Sequence, residues 1–114
     1  MDWESRVIAA IRQIPRGKVS TYGAIARAVG SPNLSRQVAR VLSGSRGLPW
    51  HRVLGAGGHI RVPGEWAAEQ RLQLQFEGVR FRGRRVDMAQ HEFKFVRVQK
   101  SVVPKPEPKT GKRR

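Results

Sequence analysis

Three short apolar segments occupy the first 44 residues, and glycine or proline follows each of them. In the first segment the apolar side chains recur at the spacing of one helix face: Trp3, Val7, Ala10, Ile11 and Ile14. This spacing predicts an amphipathic helix over residues 3–14, which Pro15 and Gly17 end. The breakers that follow favour a domain built from short helices.

The next two segments predict a helix-turn-helix. A second helix is expected over residues 21–29, capped by Ser20 or Thr21 and closed by Gly30. A third helix is expected to begin at Ser31-Pro32, with Ser31 as its cap, and to end near Gly44. Its buried face would consist of Leu34, Val38, Val41 and Leu42. Two short helices joined by a tight Gly-Ser-Pro turn are typical of the helix-turn-helix.

The second half of the chain has weaker patterns. Residues 50–62 hold two short apolar pieces around a glycine cluster, which predicts a hairpin or wing-like turn. A fourth helix is expected over about residues 65–77, with Ala68, Leu72 and Phe76 facing the core. Short strands are expected at Val79 and Phe81 and again at Phe93 and Phe95. The predicted fold class is mainly α with a short β-hairpin, arranged as a winged helix-turn-helix.

Charge points to a polyanionic partner. The chain of 114 residues has a net charge of +15; residues 101–114 contribute +4, and the other 100 residues carry +11. A basic folded domain favours nucleic acid over an anionic membrane or a ribosome-associated role. Residues 1–98 are predicted to form this domain. Residues 99–114 are rich in proline and lysine without an apolar period, which predicts a disordered basic tail.

Composition also excludes several kinds of site. The chain has no cysteine, so disulfides, thiolate zinc sites and cysteine nucleophiles are excluded. Its three histidines, His51, His59 and His91, are too scattered to suggest a metal site, and no cofactor is expected. No apolar run approaches the ~20 residues that a membrane span needs. The N-terminus lacks the pattern of a signal peptide, so we expect a soluble, intracellular protein.

Two groups of side chains are candidates for contact with DNA. Arg36, Gln37 and Arg40 lie on the third helix, where the two arginines share one face. Cations on such a face can bind phosphates, although solvated arginines are also common on helix surfaces. Ser20, Thr21 and Tyr22 stand at the start of the second helix, where hydroxyl and amide groups can hold a phosphate. Plain capping and a half-buried tyrosine are the alternatives.

The stretch Pro49-Trp50-His51-Arg52-Val53 remains open to several interpretations from the residues alone. Trp50 could be a core residue, and His51 a buried histidine with its hydrogen bonds satisfied. Arg52 could form an internal ion pair with one of the few acids. Composition and spacing do not decide among these alternatives.

A family resemblance carries the interpretation further. The segments GKVSTYGAIARAVGSPNLSRQVARVL and LPWHRVLGAGG resemble the DNA-binding domain of O6-alkylguanine-DNA alkyltransferases, and the similarity spans about residues 3–82. In those enzymes the loop is Pro-Cys-His-Arg-Val, and its cysteine takes the alkyl group from a flipped guanine. Trp50 stands at the cysteine position. This replacement marks the alkyltransferase-like proteins, which have no transferase activity.

The resemblance implies roles for individual residues in a minor-groove complex. Arg36 matches the arginine that enters the base stack where the damaged nucleotide leaves, and Tyr22 matches the tyrosine that pushes on the 3′ phosphate. Trp50 and His51 match the pocket that receives the alkylated base. Glu77 matches the acid that hydrogen-bonds the histidine.

One position departs from the family pattern. Related proteins without the cysteine place an arginine that stacks on the flipped guanine where this chain has Pro63. Arg61, two residues earlier, is the candidate for that contact.

The implied function is non-enzymatic recognition of damage. The protein would bind duplex DNA containing O6-alkylguanine as a monomer, flip the nucleotide and signal to nucleotide excision repair proteins, in the cytoplasm at a bacterial nucleoid or otherwise with intracellular DNA. One alternative is a general architectural DNA-binding protein with a vestigial base pocket. Another is an enzyme of a different kind, such as a glycosylase or a water-mediated dealkylase that uses His51 and Glu77.

Overall fold

Three short helices build the N-terminal part of the computed structural model, which describes residues 2–95. They are α1 (Trp3–Arg12), α2 (Tyr22–Ala28) and α3 (Ser35–Gly44). The Asp2 carboxylate caps α1 by accepting a hydrogen bond from the Ser5 amide at 2.8 Å. The mainly helical fold class is confirmed. The predicted tail, residues 99–114, lies outside the described residues.

Helix α3 begins later than predicted, because Ser31 closes α2 instead of capping α3. Gly30 adopts a φ of 85°, and the Ser31 amide donates to the Ala26 carbonyl at 2.8 Å. This hydrogen bond belongs to a Schellman motif, which satisfies the last carbonyl groups of a helix. A turn at residues 32–33 follows, and α3 starts at Ser35 without a side-chain cap.

Two hydrophobic clusters fill the structure. The first lies among α1, α2 and α3, and its fully buried members include Val7, Ile11, Ile14, Ile25 and Val38. On the predicted inner face of α3, Val38 and Val41 are buried, whereas Leu34 and Leu42 are only partly buried. The second cluster consists of Val19, Leu54, Leu74, Val79 and Val86. It therefore joins the segment before β1 to the middle of the chain and to its C-terminal half.

The two small sheets each contain two strands. Strand β1 (Ser20–Thr21) pairs in parallel with β2 (Val53–Leu54). Strands β3 (Phe81–Arg82) and β4 (Arg85–Val86) form an antiparallel hairpin. The hairpin predicted at residues 50–62 is reduced to one antiparallel bridge, Gly55 to His59, because residues 50–52 and 56–58 form 3₁₀ turns. The parallel pair places the start of α2 beside the loop that contains Trp50.

Helix α4 (Glu65–Phe76) has the predicted length but not the predicted orientation. Ala68 is exposed, and so are Leu72 and Phe76, with 63% and 80% of their surface accessible. Gln70 and Leu74 are the buried residues instead. The polar Gln70 turns inward because its amide hydrogen-bonds a neighbouring loop, as described below.

The last described segment also differs from the prediction. A short helix, α5 (Met88–His91), was not predicted. Phe93 and Phe95 do not form a strand; the Phe93 amide donates to the Val19 carbonyl at 2.7 Å, and both rings pack against the first cluster. Within residues 2–95, the helices are too short and too polar for any of them to cross a membrane.

Candidate nucleic-acid interface and base pocket

A buried carboxylate organises the loop that contains Trp50. Glu77 follows α4, and its Oε2 lies 2.8 Å from His51 Nε2. Arg52 donates to both carboxylate oxygens, from Nε to Oε1 at 3.0 Å and from Nη2 to Oε2 at 2.8 Å. Arg52 therefore forms the internal ion pair that was one of its possible roles. Glu77 binds both residues that follow Trp50 in the loop, His51 and Arg52.

The same carboxylate connects the loop to the N-terminal helices. The Gly17 amide donates to Glu77 Oε1 at 3.3 Å, and Arg52 Nη1 donates to the Ile14 carbonyl at 2.9 Å. Burial raises the pKa of Glu77, but hydrogen bonds from Arg52, His51 and Gly17 outweigh it and lower the pKa to about 2. Glu77 is therefore ionised at neutral pH, and its negative charge is paired with Arg52 inside the protein.

Gln70 fixes the position of the loop against α4. Its Nε2 donates to the carbonyl groups of His51 at 3.0 Å and Val53 at 2.9 Å, while its Oε1 is buried without a partner in the described structure. Loop carbonyls that are removed from water need donors, and this glutamine supplies two. Sequence reasoning did not single out Gln70. The sequence signal for it was its position four residues before Leu74, which places both side chains on one face of the helix.

Trp50 contacts two other aromatic rings at nearly right angles. Its indole meets the His51 ring at 6.3 Å and 82°, and the Trp66 indole at 5.7 Å and 86°. Trp50 is half-buried, whereas Trp66 has 61% of its surface accessible. Trp50 is thus not a core residue, and Trp66 is a member of this site that the sequence interpretation missed.

Arg61 lies across the backbone of Gly55, which directly follows β2. A Cβ atom at Gly55 would overlap the Cγ and Nε atoms of Arg61, so the glycine leaves space for the arginine stem. The side chain is exposed. Within the described residues, no three histidine or acidic side chains are grouped so as to hold a metal ion.

The three residues expected to hold phosphate at the start of α2 have different environments. Ser20 is fully buried in β1, so its hydroxyl does not reach the surface where a phosphate would bind. Thr21 Oγ1 accepts a hydrogen bond from the Ala24 amide at 3.0 Å, which makes it the cap of α2. Tyr22 packs against the first cluster, and burial raises the pKa of its phenol above the ordinary 10.0.

The outer face of α3 carries cations that pair with no acidic side chain among the residues that the structure describes. Arg36 and Arg40 are exposed, and Gln37 is half-buried at the edge of the face that buries Val41. None of the ion pairs formed among residues 2–95 involves either arginine. Their charge is therefore available to an anionic ligand, in contrast to that of Arg52.

Topology relates this face to the tryptophan loop. Helix α3 packs against α2, whose first residue directly follows β1. Because β1 pairs with β2, Tyr22 follows a strand that lies beside the chain leaving Trp50. The helix-turn-helix and the aromatic site thus belong to adjoining parts of one structure.

This combination of helix-turn-helix and aromatic loop defines a class of DNA-binding domain. Residues 2–79 match the family model of the 6-O-methylguanine DNA methyltransferase DNA-binding domain. The match covers more than half of the chain, which therefore belongs to that family. The resemblance noted in the sequence is thereby confirmed.

Two relatives are named a DNA base-flipping protein and an alkyltransferase-like protein. The chain is 42% identical over 78 residues to a DNA base-flipping protein of Vibrio parahaemolyticus, covering 65% of this chain and 77% of that protein. It is 43% identical over 83 residues to alkyltransferase-like protein 1 of Schizosaccharomyces pombe, covering 68% and 77%.

Solved structures agree with these relatives. The S. pombe protein in complex with damaged DNA containing O6-carboxymethylguanine aligns with a TM-score of 0.68 at 35% identity, covering 80% of this chain and 94% of that chain. A Mycobacterium tuberculosis O6-methylguanine methyltransferase aligns with a TM-score of 0.58 at 32% identity, covering 68% and 48%.

Proposed function

We propose that this protein recognises O6-alkylguanine in duplex DNA by turning the damaged nucleotide out of the helix, without changing it covalently. The observation that carries the proposal is Trp50, which occupies the position of the reactive cysteine while the adjacent His51–Glu77 pair is kept at 2.8 Å. Histidine and carboxylate would activate a thiol, but an indole is a poor nucleophile at neutral pH. The pair then shapes the pocket and does no chemistry.

Names of relatives support the same function. One relative is called a base-flipping protein, and the S. pombe relative has been crystallised with DNA that contains an O6-alkylated guanine. Extrusion costs a few kcal/mol of lost stacking and pairing, so the complex needs compensating contacts. Trp50 would offer the base an aromatic surface, and Arg36 would fill the gap in the duplex through the minor groove.

The exposed cations support binding to the backbone. Beside Arg36, Gln37 and Arg40 would meet phosphates on one side, and Thr21 and Tyr22 would meet them at the start of α2. Arg61 would reach the flipped base. We assign the DNA-binding domain to residues 1–98. The basic residues beyond it would attract DNA of any sequence and make the affinity depend more steeply on salt. Monomeric binding within the cell and recruitment of nucleotide excision repair belong to the same proposal.

The decisive experiment compares affinity for one duplex with and without O6-methylguanine at a single salt concentration. We expect tighter binding to the damaged duplex by about tenfold or more, since a held base contributes stacking of roughly 1–3 kcal/mol. Intact-mass spectrometry on the same samples should show no added methyl group on the protein, and analysis of the DNA should show no released base.

Each other outcome points to a different function. Equal affinity for both duplexes would identify an architectural DNA-binding protein whose pocket is vestigial. A released base or a dealkylated guanine would identify an enzyme that uses His51 and Glu77. A stoichiometric gain of mass on the protein would contradict the absence of transfer.

A further inference from the structure

Trp66 is a largely exposed tryptophan that borders the loop of Trp50. It lies in the first turn of α4, has 61% of its surface accessible and contacts Trp50 edge to face. Single apolar side chains are common on protein surfaces. Trp66 is not isolated, however, because it extends the aromatic surface that begins with Trp50 and His51.

The geometry of α4 places Trp66 on the side of the site. Residues four apart lie on one helix face, so Trp66 shares a face with the buried Gln70, whose amide binds the loop carbonyls of His51 and Val53. Leu72, which is exposed to nearly the same extent, lies six positions further and on another face. Trp66 therefore borders the tryptophan loop, and Leu72 does not.

We propose that Trp66 and Trp50 form a right-angled aromatic corner that holds the extruded base, which meets one indole by its face and the other by its edge. This inference rests on the proposed function and names a second residue of the pocket. In a perpendicular pair the edge of one ring covers only one face of the other, so ring surface remains for a third partner. A purine beside such a corner makes both favourable aromatic contacts at once.

The corner is formed before any base enters it. Gln70 ties the loop to α4 through two hydrogen bonds, and Glu77 ties it again at the end of that helix. These bonds fix the loop and the helix that carry the two indoles, which meet at 86°. A preformed contact surface avoids the entropy of ordering side chains during binding, which raises affinity.

The test is a set of three variants measured against the duplex pair described above. Trp66→Ala removes the corner, Trp66→Phe keeps an aromatic ring, and Leu72→Ala removes an apolar side chain of equal exposure elsewhere on α4. We expect Trp66→Ala to lower the ratio of affinities for damaged and undamaged duplex about tenfold, with little change for the undamaged duplex. Trp66→Phe should restore most of the ratio, and Leu72→Ala should leave it unchanged. Circular dichroism melting curves establish that all three variants fold.

Two results would overturn the corner while leaving lesion recognition in place. One is a Trp66→Ala protein that discriminates as well as the unmodified protein. The other is an equal loss on both duplexes, which would make Trp66 a general DNA contact. If the unmodified protein itself does not distinguish the duplexes, the proposed function and the corner both fail.

Discussion

Helices α3 and α4 both lie at the surface, yet their sequences relate to their buried faces in opposite ways. Helix α3 buries Val38 and Val41 and exposes Arg36, as its pattern predicts. Helix α4 buries Gln70 and exposes Leu72, against its pattern. The difference lies in what each helix covers. Helix α3 packs on apolar side chains, whereas α4 packs on a loop whose carbonyl groups require donors.

The comparison also separates two uses of charge. The arginines of α3 have no acidic partner among the described residues, so they remain available for DNA. Arg52, which lies on the loop beneath α4, is committed to Glu77 and Ile14. Helix α3 is thus suited to bind, and α4 is suited to hold the binding loop in place.

The largest expected effect tests the two sides of α4 directly. Leu74→Ala should lower the free energy of unfolding by about 3 kcal/mol, because Leu74 is fully buried and its loss leaves a cavity in the second cluster. Leu72→Ala, two positions away and 63% exposed, should change it by less than about 0.5 kcal/mol. Urea unfolding of both variants measures the difference. Equal effects would show that the orientation of α4 is wrong.

Glu77→Gln should have the next largest effect, about 2 kcal/mol at neutral pH, because it leaves Arg52 largely buried without its carboxylate. The pKa of Glu77 is lowered from 4.5 to about 2, so its contribution is present above pH 4.5 and is lost as the pH falls towards 2. Urea unfolding at several pH values should show the difference between the two proteins shrinking across that window. A difference that stays constant from pH 7 to pH 2 would contradict the assigned ionisation.

Gln70→Leu should destabilise the protein by about 1–2 kcal/mol, although leucine is the more apolar residue. The two loop carbonyls of His51 and Val53 lose their donor, and unsatisfied buried acceptors are costly. Gln75→Leu, at an exposed position of the same helix, is the matched control and should be close to neutral. Stabilisation by Gln70→Leu would mean that the loop does not depend on this amide.

Local signals explain what could be predicted from the sequence. Three helices were placed within a few residues because Pro15, Gly30 and Gly78 end or separate them, and such breakers act within one turn. The start of α3 was missed because Ser31 suits either a cap or a Schellman closure. Only the hydrogen bond to Ala26 distinguishes these two roles.

The remaining features depend on contacts between distant residues. Arg52 and Glu77 are 25 positions apart, and Trp50 and Trp66 lie on different elements, so no periodicity connects them. The parallel pairing of β1 and β2 joins strands of two residues each, which is too short for a pattern. The family resemblance nominated His51 and Glu77 but did not point to Gln70 or Trp66, whose contacts are seen only in the fold.

The smallest effect concerns Arg36 and Arg40 of α3. Both are exposed in the structure, but the proposed mechanism gives them different roles. Arg40→Ala should remove mainly one phosphate contact, weakening binding to damaged and undamaged duplexes alike. Arg36→Ala should weaken binding to the damaged duplex about threefold to tenfold more, because the gap left by the extruded nucleotide is then unfilled and part of the cost of extrusion is no longer offset.

Two further measurements separate a residue that fills the gap from a phosphate contact. Arg36→Lys keeps the charge but lacks the planar group that stacks between bases, so it should recover only part of the affinity. A 2-aminopurine next to the lesion should brighten when the unmodified protein opens the stack, and should brighten less with Arg36→Ala at saturating protein. If Arg36→Ala and Arg40→Ala agree in affinity and fluorescence, both arginines contact phosphates, and extrusion must be stabilised from the aromatic side of the site, where Trp50 and Trp66 meet.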